Sequence, residues 1–254
     1  MIKENVKPPT NEEIAEMIKY IDKYRYDFYT LAHILFPFGQ PGHELENERI
    51  YDWQREEWDK MRDHWINPLT RDIPYRLCIS TGNGSGKTAF IAMTLIMILY
   101  THELHARLTS NTERQTQSVV WPEYNKWLGY ALWSEFLFDI LGTTVVHKKN
   151  KKWRIDTVTW SEDNVAGISG LHNKGAHRAV GYVFEEAAGI AAKVWEYASG
   201  ALTDVNTLKF FFAVANSDDP NSQFEQNMNN PDWNSRRIDT RTLSHVSKNQ
   251  IAAW

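Results

Sequence analysis

Apolar and polar residues alternate along this chain in blocks that predict strands and helices in turn. Short apolar runs typical of buried strands lie at residues 75–80, 106–110, 179–184 and 208–215. Longer segments with apolar residues at helical spacing predict helices at 11–38, 52–67, 89–100 and 191–202. Strands that alternate with helices are typical of a parallel sheet with right-handed crossovers. The predicted fold class is therefore α/β, with a mainly parallel central sheet flanked by helices.

Two further segments complete the pattern. A helix begins after the N-cap Thr112 and runs towards Trp133, with a bend at Pro122, which has no backbone N–H to donate. Residues 143–160 alternate around a basic segment at 148–152, and this predicts a β-hairpin with a basic turn. A solvated hairpin tip explains that charge run better than a contact with DNA does.

Composition narrows the class of protein only slightly. The chain has 254 residues, of which 42% are hydrophobic and 24% are charged, which suits one large α/β domain. Its formal net charge of −4 leaves any DNA contact to a local patch or to several copies acting together. The single cysteine, Cys78, cannot form an internal disulfide, and this favours a reducing compartment. The first residues lack the apolar core of a signal peptide, and 89–100 is too short to span a bilayer.

The most specific signal is a glycine-rich segment between the first predicted strand and its following helix. It reads Thr81-Gly82-Asn83-Gly84-Ser85-Gly86-Lys87-Thr88. Glycines let consecutive backbone N–H groups point at one anion, and the helix N-terminus adds partial positive charge. In a phosphate-binding loop the lysine reaches the β- and γ-phosphates and the hydroxyl ligates magnesium, roles that fall to Lys87 and Thr88. Thr81 stands where the usual pattern has its first glycine, and a turn that binds nothing is the alternative.

Polar residues also end two other predicted strands. In P-loop ATPases a carboxylate at the end of the strand holds magnesium, and a following glutamate polarises the attacking water; Glu185 and Glu186 occupy these two places. Aspartate is the commoner first acid, and two solvated acids at a strand end are the alternative. Asn216 and Ser217 follow the strand at 208–215 and are candidates to sense the γ-phosphate, although an ordinary asparagine turn fits equally well.

In this order the segments resemble the ATPase half of the large terminase subunit, the DNA-packaging motor of tailed bacteriophages. Asp52-Trp53-Gln54 is similar to the adenine-contacting motif of that family, which points to Gln54. The segment at 81–88 resembles its phosphate loop, which in this family often lacks the first glycine. Tyr182-Val183-Phe184-Glu185-Glu186-Ala187 resembles its strand with Asp-Glu-Ala, and residues 216–220 resemble its coupling motif.

The resemblance implies a P-loop NTPase fold of the additional-strand, catalytic-glutamate type, with a small helical lid subdomain. It divides the chain into a helical lid and linker segment at 1–50, an ATPase core at 51–220, and a lid segment and linker at 221–254. Large terminases continue into a nuclease domain that this chain lacks. We expect an excised ATPase domain; a nuclease on a separate chain is the alternative.

The same resemblance implies ATP hydrolysis with Mg²⁺ that drives double-stranded DNA into a procapsid in the host cell cytoplasm. The implied partners are double-stranded DNA, the portal protein, the small terminase subunit and further copies of the chain in a ring, the isolated domain being monomeric. Glu186 would be the catalytic glutamate, with magnesium held by Thr88 and Glu185. Charge on the transferred phosphoryl group usually needs an arginine, for which Arg114 is the first candidate and Arg178 the second.

Two other functions fit part of the pattern. A helicase-like DNA-dependent ATPase would use the same sheet, but it normally carries a second recombinase-like domain for which this chain has no room. A non-hydrolysing nucleotide-binding module, which only assembles with partners, would result if Glu185 failed to position magnesium.

Overall fold

A sheet of eight strands forms the centre of the computed structural model, which describes residues 7–160, 165–168, 170–216 and 219–243. The strands are β1 (Tyr75–Thr81), β2 (Glu103–Ser110), β3 (Phe138–Leu141), β4 (Thr144–His147), β5 (Arg154–Thr157), β6 (Arg178–Glu185), β7 (Leu208–Ala215) and β8 (Asn234–Ile238). Their spatial order is β3-β4-β5-β2-β6-β7-β1-β8. Pairing is antiparallel between β3, β4 and β5 and parallel elsewhere, so the predicted α/β class with a mainly parallel sheet is confirmed.

The position of β7 identifies the type of sheet. Although β6 precedes β7 in the chain, β7 pairs with both β1 and β6 and lies between them. The strand that carries the glycine-rich loop is thus separated from the strand that carries the two acids by one additional strand. This is the order expected for the additional-strand type.

Helices cover both faces of this sheet. They are α1 (Asn11–Lys23), α2 (Phe28–Leu35), α3 (Asp52–Ile66), α4 (Lys87–Thr101), α5 (Glu113–Gln115), α6 (Trp121–Tyr130), α7 (Ser134–Leu137), α8 (Ala192–Gly200) and α9 (Gln223–Met228). Helices α1 to α4 and α6 belong to one hydrophobic cluster, and α8 and α9 belong to a second. Across the described residues, no helix combines the length and hydrophobicity that crossing a membrane requires.

The single helix predicted at 11–38 is wrong, because the chain forms two helices there. Asp27 caps the second one, its carboxylate accepting a hydrogen bond from the backbone N–H of Thr30 at 3.0 Å and another from the Thr30 hydroxyl at 2.7 Å. The first helix ends at Lys23, and this local cap begins a separate helix at Phe28. The capped helix then buries Phe28 and Leu31 in the cluster that contains α4.

The helix after Thr112 and the hairpin follow the prediction with local differences. One turn of π-helix, Thr116–Val120, joins α5 to α6, and Pro122 lies in the first turn of α6. Strands β4 and β5 form the predicted hairpin, to which β3 adds a third strand. In the basic turn, the ammonium groups of Lys148 and Lys151 lie 3.6 Å and 3.4 Å from the carboxylate of Asp139.

Alternate residues of the central strands enter opposite hydrophobic clusters, as the pleat of a strand requires. Phe210, Phe212 and Val214 of β7 belong to the cluster on the α4 side, and Phe211 and Ala213 belong to the other. Every residue of β7 is buried, and all of them except Lys209 are apolar. Both faces of the sheet are therefore core.

The segment at 221–254, expected to be a lid segment and linker, contributes β8 to the central sheet. β8 pairs with β1 in parallel, and Arg236 fastens it to α3 through a 2.8 Å ion pair with Glu57. The part of this segment beyond residue 243 lies outside the described residues. The domain boundaries themselves stay a prediction.

Candidate functional site

The glycine-rich loop connects β1 directly to α4. Gly84 and Gly86 have φ angles of +75° and +82°, in the left-handed region that glycine adopts without steric cost. Gly86 is the N-cap of α4 and supplies no side chain to the free backbone N–H groups of the first turn. These donors and the positive end of a 15-residue helix are thus left for a ligand.

Ser85 gives a second sign that the loop accommodates a ligand. Its side chain is buried, and its hydroxyl has no hydrogen-bond partner among the described residues. A buried hydroxyl without a partner is costly unless something else bonds it. A phosphate oxygen in the loop would fit this requirement.

Lys87 lies at the meeting point of three elements. Its Nζ donates a hydrogen bond to Oδ1 of Asn216 at 3.1 Å and lies 3.7 Å from Oε1 of Glu186. The amide of Asn216 in turn donates to Oδ1 of Asn83 in the loop at 3.4 Å. The ammonium group, although buried, is therefore surrounded by acceptors from the ends of β6 and β7.

Glu185 lies beside Thr88 and is almost entirely buried, with 1% of its surface exposed. Thr88 Oγ1 donates to one carboxylate oxygen at 3.4 Å, and the hydroxyl of Tyr124 donates to the other at 3.3 Å. Burial raises the pKa of Glu185 to about 8, against the opposing effect of the Lys87 charge. Burial thus disfavours the charged form of this carboxyl group.

Glu186 occupies an unusual backbone conformation immediately after β6. Its φ and ψ angles are 48° and 45°, a left-handed conformation in which a non-glycine residue is uncommon. Its side chain is 38% exposed, in contrast to that of Glu185. The turn thus places the Glu185 carboxyl group in the protein interior and the Glu186 carboxylate at the solvent-exposed surface.

Gln54 lies next to the loop at the start of α3. Its Nε2 donates to the carbonyl of Gly86 at 3.5 Å, and its Oε1 accepts the backbone N–H of Tyr51 at 2.9 Å. Gln54 and Gly86 line a cavity of about 300 Å³ that Ala89 and Trp127 also line. This cavity adjoins the N-terminus of α4 and has the polar and aromatic lining that suits a planar base.

The candidate arginines do not join this group. Arg114 is exposed on α5 and makes no side-chain hydrogen bond or ion pair with the site residues in the part of the chain that the structure describes. Arg178 is the first residue of β6, at the opposite end of the strand from Glu185. Its Nε lies 3.1 Å from Oε2 of Glu103. The prediction that Arg178 contributes to this site is therefore wrong within one subunit. Ser217 lies outside the described residues.

Tyr124 is the site residue that the sequence did not reveal. It lies on α6 among Trp121, Trp127 and Leu128, all buried, so its position in the sequence is that of an ordinary core aromatic. Only the packing of α6 against α4 brings its hydroxyl to Glu185. Sequence periodicity carries no signal for such a contact.

The residues present fit a bound magnesium ion. The Thr88 hydroxyl and the Glu185 carboxylate are hard oxygen donors, held together at the N-terminus of α4. The uncapped N–H groups and Lys87 beside them suit the phosphates that such an ion accompanies in nucleotide sites.

Comparison with solved structures gives the fold to which this architecture belongs. The large terminase of bacteriophage HK97 is similar with a TM-score of 0.55 and 12% identity, over 92% of this chain and 46% of that one. The large terminase of a thermophilic bacteriophage is similar with a TM-score of 0.50 and 13% identity, over 73% of this chain and 46% of that one. No family model and no curated protein sequence matches this chain. The chain has the P-loop NTPase fold of these terminases and spans about half the length of each.

Proposed function

We propose that this chain hydrolyses ATP with Mg²⁺ and is the ATPase motor domain of a viral large terminase, which drives double-stranded DNA into a procapsid. The observation that carries this proposal is the convergence of Lys87, Glu185, Glu186 and Asn216 at the N-terminus of α4. These residues come from the loop and from the ends of β6 and β7. Polar groups from three separate elements meeting at one loop are typical of an active site rather than of a fold requirement.

Each residue has a role that its position supports. The loop N–H groups and Lys87 bind the β- and γ-phosphates, and Gln54 contacts the base in the adjoining cavity. Thr88 and Glu185 hold magnesium, which when bound neutralises charge on the phosphates. Glu186, the more exposed acid, orients the water and accepts its proton as that oxygen bonds to the γ-phosphorus and the bond to ADP breaks.

Asn216 is in a position to report the state of the nucleotide. It bridges Lys87 to Asn83, so a phosphate that draws the Lys87 ammonium group towards its own oxygens would lengthen the 3.1 Å hydrogen bond between Lys87 and Asn216. One of the two hydrogen bonds that join the end of β7 to the loop and α4 is then weakened. We propose that this coupling transmits hydrolysis to movement, with Arg114 or an arginine of a neighbouring subunit completing the site.

The motor role implies the partners already expected from the sequence. They are double-stranded DNA contacted mainly through its phosphates, the portal protein, the small terminase subunit and other copies in a ring, in the host cytoplasm. The similarity to the large terminases of HK97 and of the thermophilic bacteriophage supports this role at the level of the fold.

One observation favours a second candidate, a nucleotide-binding module that does not hydrolyse ATP. The raised pKa of Glu185, caused chiefly by burial, means that the carboxyl must lose its proton before it can hold a cation at neutral pH. If this cost prevents magnesium from binding, the chain would bind nucleotide and only assemble with partners.

ATP turnover separates the two candidates. We expect the wild-type chain to release phosphate in a magnesium-dependent reaction and Glu186→Ala to be slower by about 10² or more, the scale of a lost general base. Glu196→Ala, an exposed acid on α8, is the matched control and should match the wild type. Equal background turnover by the wild type and Glu186→Ala, with nucleotide binding intact, would establish the binding module instead.

A further inference from the structure

A large cavity lies at the N-terminal ends of the central strands, at the opposite end of the sheet from the glycine-rich loop. Its volume is about 680 Å³, and it forms where β6 and β7 begin, between the segments that precede these strands and the end of α3. Strand β6 separates it from Glu185, and seven residue steps along a strand correspond to roughly 23 Å. The cavity is thus distinct from the proposed nucleotide site.

Four cationic side chains line this cavity: Arg25, Arg71, Lys174 and Arg178. Three acids accompany them. Asp72 lines the cavity, Asp22 pairs with Arg25, and Glu103 pairs with Arg178 at 3.1 Å.

Asp22 and Glu103 compensate Arg25 and Arg178, so Asp72 is the one acid left to offset Arg71 and Lys174, and the cavity keeps an excess of one positive charge. Within the described ranges, neither side chain has an ion pair or a side-chain hydrogen-bond partner. For a chain with net charge −4, this is a local excess of positive charge around a concave surface.

The floor of the cavity carries a donor that nothing in the described structure satisfies. Trp65 lines the cavity and is only 4% exposed, and its indole N–H has no acceptor among the described residues. Indole donates but does not accept, and a buried indole N–H is usually bonded. The nitrogen exposes less than 1 Å² of its surface, so it lies behind the cavity wall and the apolar part of the ring lines the cavity.

The backbone of the wall is held in unusual conformations. His177 and Asn206, which line the cavity, have φ angles of 62° and 55°, and Gly175, which also lines it, has a φ of 141°. The guanidinium of Arg25 contacts Nδ1 of His177 and fixes that turn. Such conformations are concentrated at ligand clamps and other functional sites.

We propose that this cavity binds a phosphate group. Arg71 and Lys174 supply the excess positive charge, and the guanidiniums of Arg25 and Arg178 add N–H donors at the cavity wall. The phosphate group could belong to the backbone of a nucleic acid or to a free phosphorylated molecule. Binding here does not depend on the proposed ATPase activity.

The test measures binding of inorganic phosphate by calorimetry and of a short DNA duplex by fluorescence anisotropy over a range of salt concentrations. The variant is Arg71→Glu/Lys174→Glu, which changes exposed residues and should fold normally by circular dichroism. Lys149→Glu/Lys193→Glu, with the same charge change away from the cavity, is the control. Both double variants are also made in a Lys87→Ala background, which weakens phosphate binding at the glycine-rich loop and leaves the contribution of the cavity.

In both backgrounds we expect the cavity variant to bind its ligand at least about tenfold more weakly than its parent, whereas the control binds as its parent does. If the ligand is a nucleic acid, the slope of log K against log salt should also fall by about two, one for each lost phosphate contact. Phosphate binding without duplex binding would identify a free phosphorylated ligand. Loss of binding only in Lys87→Ala, equal binding by the cavity variant, or no binding by the wild type would overturn the proposal.

Discussion

Glu185 is longer by one methylene than the aspartate usual at its position, and two hydroxyl groups determine where its carboxylate lies. Thr88 and Tyr124 each donate to a different oxygen, at 3.4 Å and 3.3 Å. Both donors are on helices, α4 and α6, that pack against each other on one face of the sheet, so each carboxyl oxygen has its own donor. A longer acid can therefore reach the loop while its strand keeps regular pairing with β2 and β7.

Replacing Tyr124 by phenylalanine tests this positioning. The variant loses one donor to Glu185, worth about 0.5–1.5 kcal/mol, and we expect several-fold weaker binding of magnesium–nucleotide with little change for nucleotide in EDTA. Calorimetric titration in both buffers measures the difference. Tyr100→Phe is the matched control, because its hydroxyl also donates one hydrogen bond, to the carbonyl of Leu132 at 2.7 Å, far from the loop. Equal effects from the two variants would show that Tyr124 is structural only.

The raised pKa of Glu185 predicts how stability depends on pH. Its folded-state pKa of about 8, caused chiefly by burial, exceeds the ordinary value of 4.5. Between these two values the folded chain keeps a proton that the unfolded chain has released, so this group makes stability fall as pH rises. We expect Glu185→Gln, neutral at every pH, to lose less stability than the wild type from pH 5 to pH 8.

Denaturant unfolding at both pH values, with EDTA and without nucleotide, measures this difference. Glu196→Gln changes an exposed acid on α8 and should follow the wild type. A wild-type and a Glu185→Gln protein with the same dependence on pH would contradict the account.

Most of the site could be predicted at the residue scale because its residues follow glycines or apolar strands, which are recognisable in the sequence. Lys87 and Thr88 follow glycines. Glu185, Glu186 and Asn216 lie at the carboxyl ends of apolar strands that are neighbours in the sheet. Tyr124 could not be predicted, since its role depends on the crossing of α6 over α4. The left-handed turn at Glu186 and the raised pKa of Glu185 likewise depend on packing.

Among the elements, β6 and β7 pack so closely that one position requires glycine. A Cβ atom at Gly181 would lie 2.2 Å from the ring of Phe210, its partner in the strand register. We expect Gly181→Ala to lower the free energy of unfolding by about 1–3 kcal/mol, the usual cost of overpacking a core. Thermal unfolding measures the change.

Gly129→Ala is the control for this substitution. Gly129 is exposed in α6, and a Cβ atom there would meet nothing within 4 Å. Alanine should stabilise this helix by up to about 1 kcal/mol. If Gly181→Ala proved as stable as Gly129→Ala, the close packing of the two strands would be wrong.

Elements whose type depends on their neighbours were the ones that the sequence missed. The break between α1 and α2 depends on the Asp27 cap inside an otherwise helical pattern. Strand β8 is short and its residues alternate between half-buried and exposed, so it carries no apolar run. It becomes a strand because β1 offers an open edge and because Arg236 bonds Glu57 on α3.

At the scale of the whole molecule, the sheet separates two polar regions. The carboxyl ends of β1, β6 and β7 carry the loop, the two acids and Asn216, as open parallel sheets usually place their ligand sites. The opposite ends of β6 and β7 carry the cationic cavity with Arg71 and Lys174. If both proposals hold, nucleotide and a second phosphate-bearing ligand bind at opposite ends of the same central strands.

A structure of the chain with magnesium and a non-hydrolysable ATP analogue would show whether the glycine-rich loop is the nucleotide site. We expect the β- and γ-phosphates on the loop from Gly84 to Lys87, the base beside Gln54, and magnesium on Thr88 and Glu185. We also expect Lys87 to move from Asn216 towards the phosphates and Glu186 to face the γ-phosphate. A nucleotide bound elsewhere, or one in the loop that leaves the 3.1 Å bond between Lys87 and Asn216 unchanged and Glu186 turned away, would contradict the proposed function.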